Sequence, residues 1–300
     1  MSSLINYIKA YTDLTRIHFF FAWPLLFLSG LFLSFPSYGR FSWELVIKCA
    51  FIALLGFEAG FIPNDIVDRK SDTKDVDVSL TKYWRLFGER PIPSGKVSTR
   101  EALLLFIVLV GASITLITTL PDPNRLYVLG ILTYSYIVEI FYQLKKRKQK
   151  LPIAQLIGRT DFALFPVAGY LANGQPDITP ILFFLFFYPF AQAHLGMNDL
   201  ADLVNDEARK LNTVSTMYGI SGTVNWIQLF TALHLIMSFY FLGSMEALVK
   251  LSAIIGAFLL VAANVIVSRN QSPKSSLNAL PLFHITMLIY TIAIIVSYFI

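Results

Sequence analysis

Charge is scarce in this chain. Asp, Glu, Lys and Arg make up 14% of its 300 residues, whereas soluble domains usually carry about a quarter. With 55% hydrophobic residues and a mean hydropathy of +0.61, a soluble globular enzyme does not fit, because the polar residues could not cover an aqueous surface. Cysteine is nearly absent. Cys49 stands alone, which excludes an internal disulfide and a cysteine-based zinc site. Histidine is sparse too, with His18, His194, His234 and His284 each in a different apolar stretch. No cleavable leader is expected, because the first apolar run begins near Ile17 and is too long for a signal core. The net charge of +5 is better explained by membrane topology than by nucleic acid, and no nucleic-acid partner is expected.

Long apolar runs are what the chain does have. About 20 apolar residues span the hydrocarbon of a bilayer at roughly 1.5 Å per helical residue. Nine stretches qualify, at 17–35, 43–62, 101–120, 126–141, 153–172, 179–197, 224–243, 246–267 and 280–300, with 126–141 the shortest. The expected fold is all-α, a single domain over 1–300 built as one bundle of nine transmembrane helices. Nineteen basic residues fall in the N-terminal segment and in alternate connections, against Arg40 and Arg125 in the other loops. The positive-inside rule then puts the N-terminus and the long loops in the cytoplasm and Ile300 outside, in a multi-pass protein of the cell membrane.

Asn64-Asp65-Ile66-Val67-Asp68-Arg69-Lys70-Ser71-Asp72 follows the second stretch, and Asn198-Asp199-Leu200-Ala201-Asp202-Leu203-Val204-Asn205-Asp206 follows the sixth. Both read N-D-x-x-D-x-x-x-D, which points to an internal duplication with paired sites. A helix drifts only about 40° for each step of four, so Asn64, Asp68 and Asp72 share a face, with Asp65 close by and the second copy alike. Stacked carboxylates repel unless cations compensate them. An oxygen-only set suits Mg²⁺, which leaves coordination positions to water and phosphate. Two such motifs facing one another imply a diphosphate between them.

At these residues the chain resembles the UbiA superfamily of intramembrane prenyltransferases, and Arg90-Pro91-Ile92-Pro93-Ser94-Gly95 beyond the first motif strengthens the likeness. The resemblance implies transfer of a prenyl group from a prenyl diphosphate to a lipophilic acceptor, a quinone-ring precursor or a glycerol lipid. It makes Mg²⁺ the cofactor and gives metal and diphosphate roles to Asn64, Asp68, Asp72, Asn198, Asp202 and Asp206. The four aspartates at 68, 72, 202 and 206 are then the catalytic set.

An allylic ionisation needs cations near the leaving group and aromatic faces near the carbocation. Arg69, Lys70, Lys145, Lys146, Arg209 and Lys210 are candidates for the first task, with Lys145 and Lys146 following Tyr142 in a pattern similar to the family's Y-x-x-K-R element. Arg16, Phe57, Phe61, Tyr134, Tyr142 and Tyr188 are candidates for the substrate cavity, Phe57 and Phe61 because they share the helical stripe of the first motif. Membrane lipid surrounds the whole. Charged residues inside the spans should face an interior cavity. Glu58 is expected to point into it, Glu139, Arg159 and Asp161 to face the interior with the last two not paired to each other, and His194 to act as a base or hydrogen-bond partner. A membrane transporter is the alternative from another class, since it too can carry intramembrane acids and an internal repeat.

Overall fold

The computed structural model describes residues 2–300. Among them there are helices, turns and loops but no strand. An amphipathic helix, α1 (Ser2–Thr15), is followed by α2 (Ala22–Tyr38), α3 (Trp43–Asp68), the short α4 (Ser79–Trp84), α5 (Thr99–Thr118) and α6 (Asn124–Lys145). Then come α7 (Ile153–Gly158), α8 (Thr160–Leu171), α9 (Ile178–Ala201), the short α10 (Leu203–Arg209), α11 (Val214–Leu242), α12 (Ala247–Arg269) and α13 (Pro273–Ser297).

Eight helices among the described residues are long and apolar enough to cross a bilayer, namely α2 with the turn before it, α3, α5, α6, α9, α11, α12 and α13. Two departures from the sequence reading are informative. Helix α6 runs for 22 residues, longer than the apolar run at 126–141, because Asn124, Arg125 and the Tyr142–Lys145 turn remain helical. The stretch 153–172 is not one helix. It breaks at Arg159, whose ψ of 2° is non-helical, into pieces of 6 and 12 residues. Gly158 at the break has the Tyr142 ring against it, where a side chain would collide.

Small residues set the closest helix approach. A Cβ on Gly30 of α2 would strike the Pro166 carbonyl of α8, and one on Gly169 of α8 would strike the Phe27 carbonyl of α2. Helix α3 packs on α5 and α6, while α9 packs on α11 and α13, so each motif-bearing helix lies against the next long helix in sequence. Phe183, Phe186, Phe187 and Phe190 of α9 are fully buried in the largest apolar core. The end of the bundle away from the motifs is tied by hydrogen bonds. Tyr38 and Tyr170 both donate to Asp177 Oδ2, at 2.5 and 2.7 Å, and Asn173 donates to Ser34 and to the Gly39 carbonyl.

Candidate functional site

Ile52, Gly56, Gly60, Asn64 and Asp68 recur every four residues along α3, and all five line a cavity of about 250 Å³. From Ile52 to Asp68 the stripe rises roughly 24 Å. The cavity is therefore graded. Its deep walls are apolar, made by Trp23, Phe27, Phe57, Phe61, Ile131, Leu132 and Phe165, while its other end holds Asn64, Asp68, Asn198, Asp199, Asp202 and Asp206. Phe57 stacks on Trp23 with centroids 3.7 Å apart, and both rings line this wall.

Cations interleave with the carboxylates. Asp68 accepts from Lys146 at 2.8 Å and from Arg147 at 2.5 Å. Arg90, from the R-P-x-P-S-G turn, donates to Asp72 at 2.7 Å and meets Asp75 at 2.8 Å. Arg209, with a side chain 4% exposed, lies 3.2 Å from Asp202, 3.6 Å from Asp72 and 3.9 Å from Asp206, and also pairs with Asp75. Arg209 thus joins the loop after the first motif to the second motif. Asp202 and Asp206 stay under-compensated: burial raises the pKa of both, further in Asp206 because Asp202 and Asp199 are close. Burial pushes Asp72 up to about 6 even with Arg90 and Arg209 beside it. Burial opposes the charge on Arg209, but Asp202, Asp72 and Asp75 outweigh it and raise its pKa above the ordinary value.

These acids form no preformed metal cluster of three or more ligands among the described residues. Their chemistry still fits a hard divalent ion. The donors are all oxygen, they gather at one end of the cavity, and their burial raises the cost of leaving the carboxylates charged without a cation.

Residues 21–291 match the UbiA prenyltransferase family. The chain belongs to that family. The protoheme IX farnesyltransferase of Aquifex aeolicus is 29% identical to this UbiA-family chain over 190 residues, covering 63% of it and 60% of the relative. The 4-hydroxybenzoate octaprenyltransferase of Aliivibrio salmonicida is 32% identical over 149 residues, covering 48% and 46%. The chain thus spans about half to three-fifths of the length of these curated relatives. The solved structure of a UbiA homologue from Archaeoglobus fulgidus, bound to DMAPP and Mg²⁺, superposes with a TM-score of 0.66 at 18% identity, covering 95% of this chain and 99% of that one. The fold is UbiA-like, in a multi-pass membrane protein.

Several residues singled out by spacing lie elsewhere. Asp72 does not line the cavity, because α3 stops at Asp68 and the chain turns before reaching it; its carboxylate holds Arg90 and Arg209 instead. Asp65 faces away from the cavity and accepts from Nη2 of Arg85 at both carboxylate oxygens, at 2.9 and 2.8 Å, with Arg16 at 3.3 Å. Of the cations, Lys146 and Arg209 line the cavity, whereas Lys145, Lys70 and Lys210 are exposed and Arg69 bonds its own helix end at the Ile66 carbonyl. Arg16 lines the cavity and stacks 4.2 Å from the centroid of Phe61. Tyr142 lines it too, while Tyr134 bonds Thr160 and Tyr188 donates to the Leu156 carbonyl, both off the cavity. Glu58 is buried but absent from the lining, with neither carboxylate oxygen partnered, because it lies one residue round the helix from the Phe57 face. Glu139, Arg159 and Asp161 do face the cavity, and no ion pair links Arg159 to Asp161.

Two contributors were given no role from the sequence, and a third lay in the repeat without one. Trp84 donates from its indole to Asn198 Oδ1 at 3.1 Å, bringing α4 over the second motif. Asn205 accepts from the backbone of Val76 and Asp77, at 2.9 Å each, and donates to Asp202 at 2.7 Å, stitching one polar loop to the other. Asp199 lines the cavity and accepts from the Val214 backbone at 3.0 Å. Its identity with Asp65 in the repeat was the signal available for it.

Proposed function

We propose that residues 1–300 form a single intramembrane enzyme that transfers a prenyl group from an allylic prenyl diphosphate to a lipophilic acceptor, a quinone-ring precursor or a glycerol lipid, with Mg²⁺. The observation that carries this reading is the graded cavity: oxygen ligands from both repeats meet at one end, and an aromatic trough runs from them into the bundle. Family membership and the relatives' names, which pair prenyl groups with a haem and with 4-hydroxybenzoate, support the same class of reaction. A homologue bound to DMAPP and Mg²⁺ supports the donor and the ion.

In this reading Asn64, Asp68, Asp202 and Asp206 hold the ion, with Asp199 beside them. Asp72 acts one step back by positioning Arg90 and Arg209. Asn198, whose oxygen is engaged by Trp84, remains a wall residue. Bound there, Mg²⁺ supplies positive charge that stabilises the leaving diphosphate. Lys146, Arg90 and Arg209, which line the same end of the cavity, share that charge. Tyr142, Trp84, Phe57 and Phe61 offer ring faces to the allylic cation and exclude the water that would quench it to an alcohol. The prenyl tail runs down the stripe past Gly60 and Gly56.

The α7–α8 pair serves as a ninth crossing, which places the N-terminus and the motif loops in the cytoplasm and the C-terminus outside. Purified protein in lipid nanodiscs, supplied with labelled allylic diphosphates of several lengths and a membrane-lipid extract, is expected to label a lipid in Mg²⁺ and not in EDTA. Movement of an ion or solute across liposomes, with no diphosphate consumed, would replace this reading with transport.

A further inference from the structure

Three of the four histidines, though on separate helices, gather beside the polar end of the cavity. His194 of α9 lines the cavity wall, its ring stacked near Phe162 with centroids 6.3 Å apart. Its Nε2 lies 2.9 Å from Nε2 of His284 on α13, and His284 Nδ1 lies 2.6 Å from the Tyr83 hydroxyl on α4. His18 lies beyond this row, joined to it through the Phe19 ring, whose centroid is 4.3 Å from that of His18, 6.5 Å from Tyr83 and 5.8 Å from His284. The groups form an unbroken chain from the cavity wall to a half-buried tyrosine in the polar loops. Nδ1 of His194 makes no hydrogen bond among the described residues.

Prenyl transfer creates a disposal problem. The C–O bond of the allylic diphosphate breaks with its electron pair leaving on diphosphate, a bond forms from the allylic carbon to the acceptor, and the acceptor loses a proton. We infer that His194 takes that proton and that His284 and Tyr83 carry one onward to water, so that the three side chains act as a proton wire serving the transfer proposed above.

The connectivity allows this without a lasting charge. A neutral imidazole holds one N–H and one lone pair. With Nδ1 of His194 free to accept, its Nε2–H donates to His284 Nε2, and His284 Nδ1–H donates to the Tyr83 oxygen. When the acceptor's proton arrives at His194 Nδ1, the Nε2 proton passes to His284, the His284 Nδ1 proton passes to Tyr83, and the Tyr83 hydroxyl proton passes to water. One proton enters and one leaves. Both rings end neutral in the opposite tautomer, so no imidazolium persists beside apolar walls, where a bare charge is costly. The rings and the hydroxyl reorient between turnovers.

Tyr83→Phe removes one oxygen and leaves the ring, His194→Gln removes the proposed base, and His284→Gln breaks the middle link. Each is assayed in nanodiscs with labelled dimethylallyl, geranyl, farnesyl and geranylgeranyl diphosphates, a membrane-lipid extract as acceptor pool, and Mg²⁺, in H₂O and in D₂O. Catalysis by a positioned base typically contributes about 10²-fold or more. The wire predicts a kcat at least tenfold lower for Tyr83→Phe and lower still for His194→Gln, a KM for the diphosphate within twofold of wild type, and a larger solvent deuterium isotope effect as proton transfer becomes limiting. A purely structural contact would leave the isotope effect unchanged. The proposal is overturned by wild-type kcat and isotope effect in any of the three variants that keeps the wild-type melting temperature. Failure of the wild-type protein to label any lipid would instead overturn the prenyl-transfer reading itself.

Discussion

Arg209→Gln tests how the two motif loops are held together. The side chain is 4% exposed, lies within 4 Å of Asp72, Asp202 and Asp206, and pairs with Asp75 as well. At about 3.5 Å and an effective dielectric near 20, each close pair is worth about 5 kcal/mol before desolvation. Removing one partner of a buried pair typically costs about 3–5 kcal/mol net, because carboxylates are left buried without compensation. That loss is expected in EDTA at pH 8, measured by chemical unfolding in detergent. Divalent ions should restore part of it: at a hundred times Kd, a ligand bound only to the folded state returns about 2.7 kcal/mol. The pH dependence has a definite sign. Asp72 is raised from 3.8 to about 6, so its contribution to stability is fully present below 3.8 and is lost as pH rises through about 6. The variant's deficit should therefore be smaller near pH 5, where Asp72 is protonated and adds no uncompensated charge, and grow toward pH 8. A variant as stable as wild type in EDTA at pH 8, or a deficit equal at pH 5 and pH 8, would refute the reasoning.

Neighbouring lysines should behave differently. Lys146→Met, which removes the buried partner of Asp68, is expected to lower prenyl-transfer kcat by about 10²-fold, whereas exposed Lys145→Ala should stay near wild type in the same assay. Gly60 lines the trough eight residues below Asp68, roughly 12 Å down the helix, and a Cβ there meets only Tyr136, at 3.9 Å. Gly60→Leu should therefore fold normally, retain dimethylallyl diphosphate as donor, and lose at least tenfold in kcat/KM with farnesyl and longer diphosphates; equal losses for all lengths would show that the tail does not run along this stripe.

The spans and the duplicated motif were legible because hydropathy and repetition are local signals. Spacing misleads where a helix stops. Steps of four carried Asn64 and Asp68 to the cavity, but extending the stripe to Asp72 assumed that α3 continued, and it ends at Asp68. The second copy departs in the same way: α9 ends at Ala201, and Asp206 reaches the cavity only because α10 restarts at Leu203. Lys145 and Lys146 are adjacent in a basic run, and composition could not tell which one turned inward. Trp84, Asn205 and the His194–His284–Tyr83 row were invisible because each depends on contact between segments 90 to 201 residues apart, or on a loop crossing over a helix end.

The central claim is that both acidic motifs serve one Mg²⁺-dependent prenyl-transfer site, and the most direct test is label transfer from allylic diphosphate to lipid by wild type, Asp68→Asn and Asp202→Asn in nanodiscs. Each substitution keeps the side-chain shape and removes one carboxylate, from opposite repeats. The account predicts transfer by wild type in Mg²⁺, none in EDTA, and a loss of at least 10²-fold in each variant with the fold intact. Full activity in either variant, or transfer by wild type in EDTA, would contradict it.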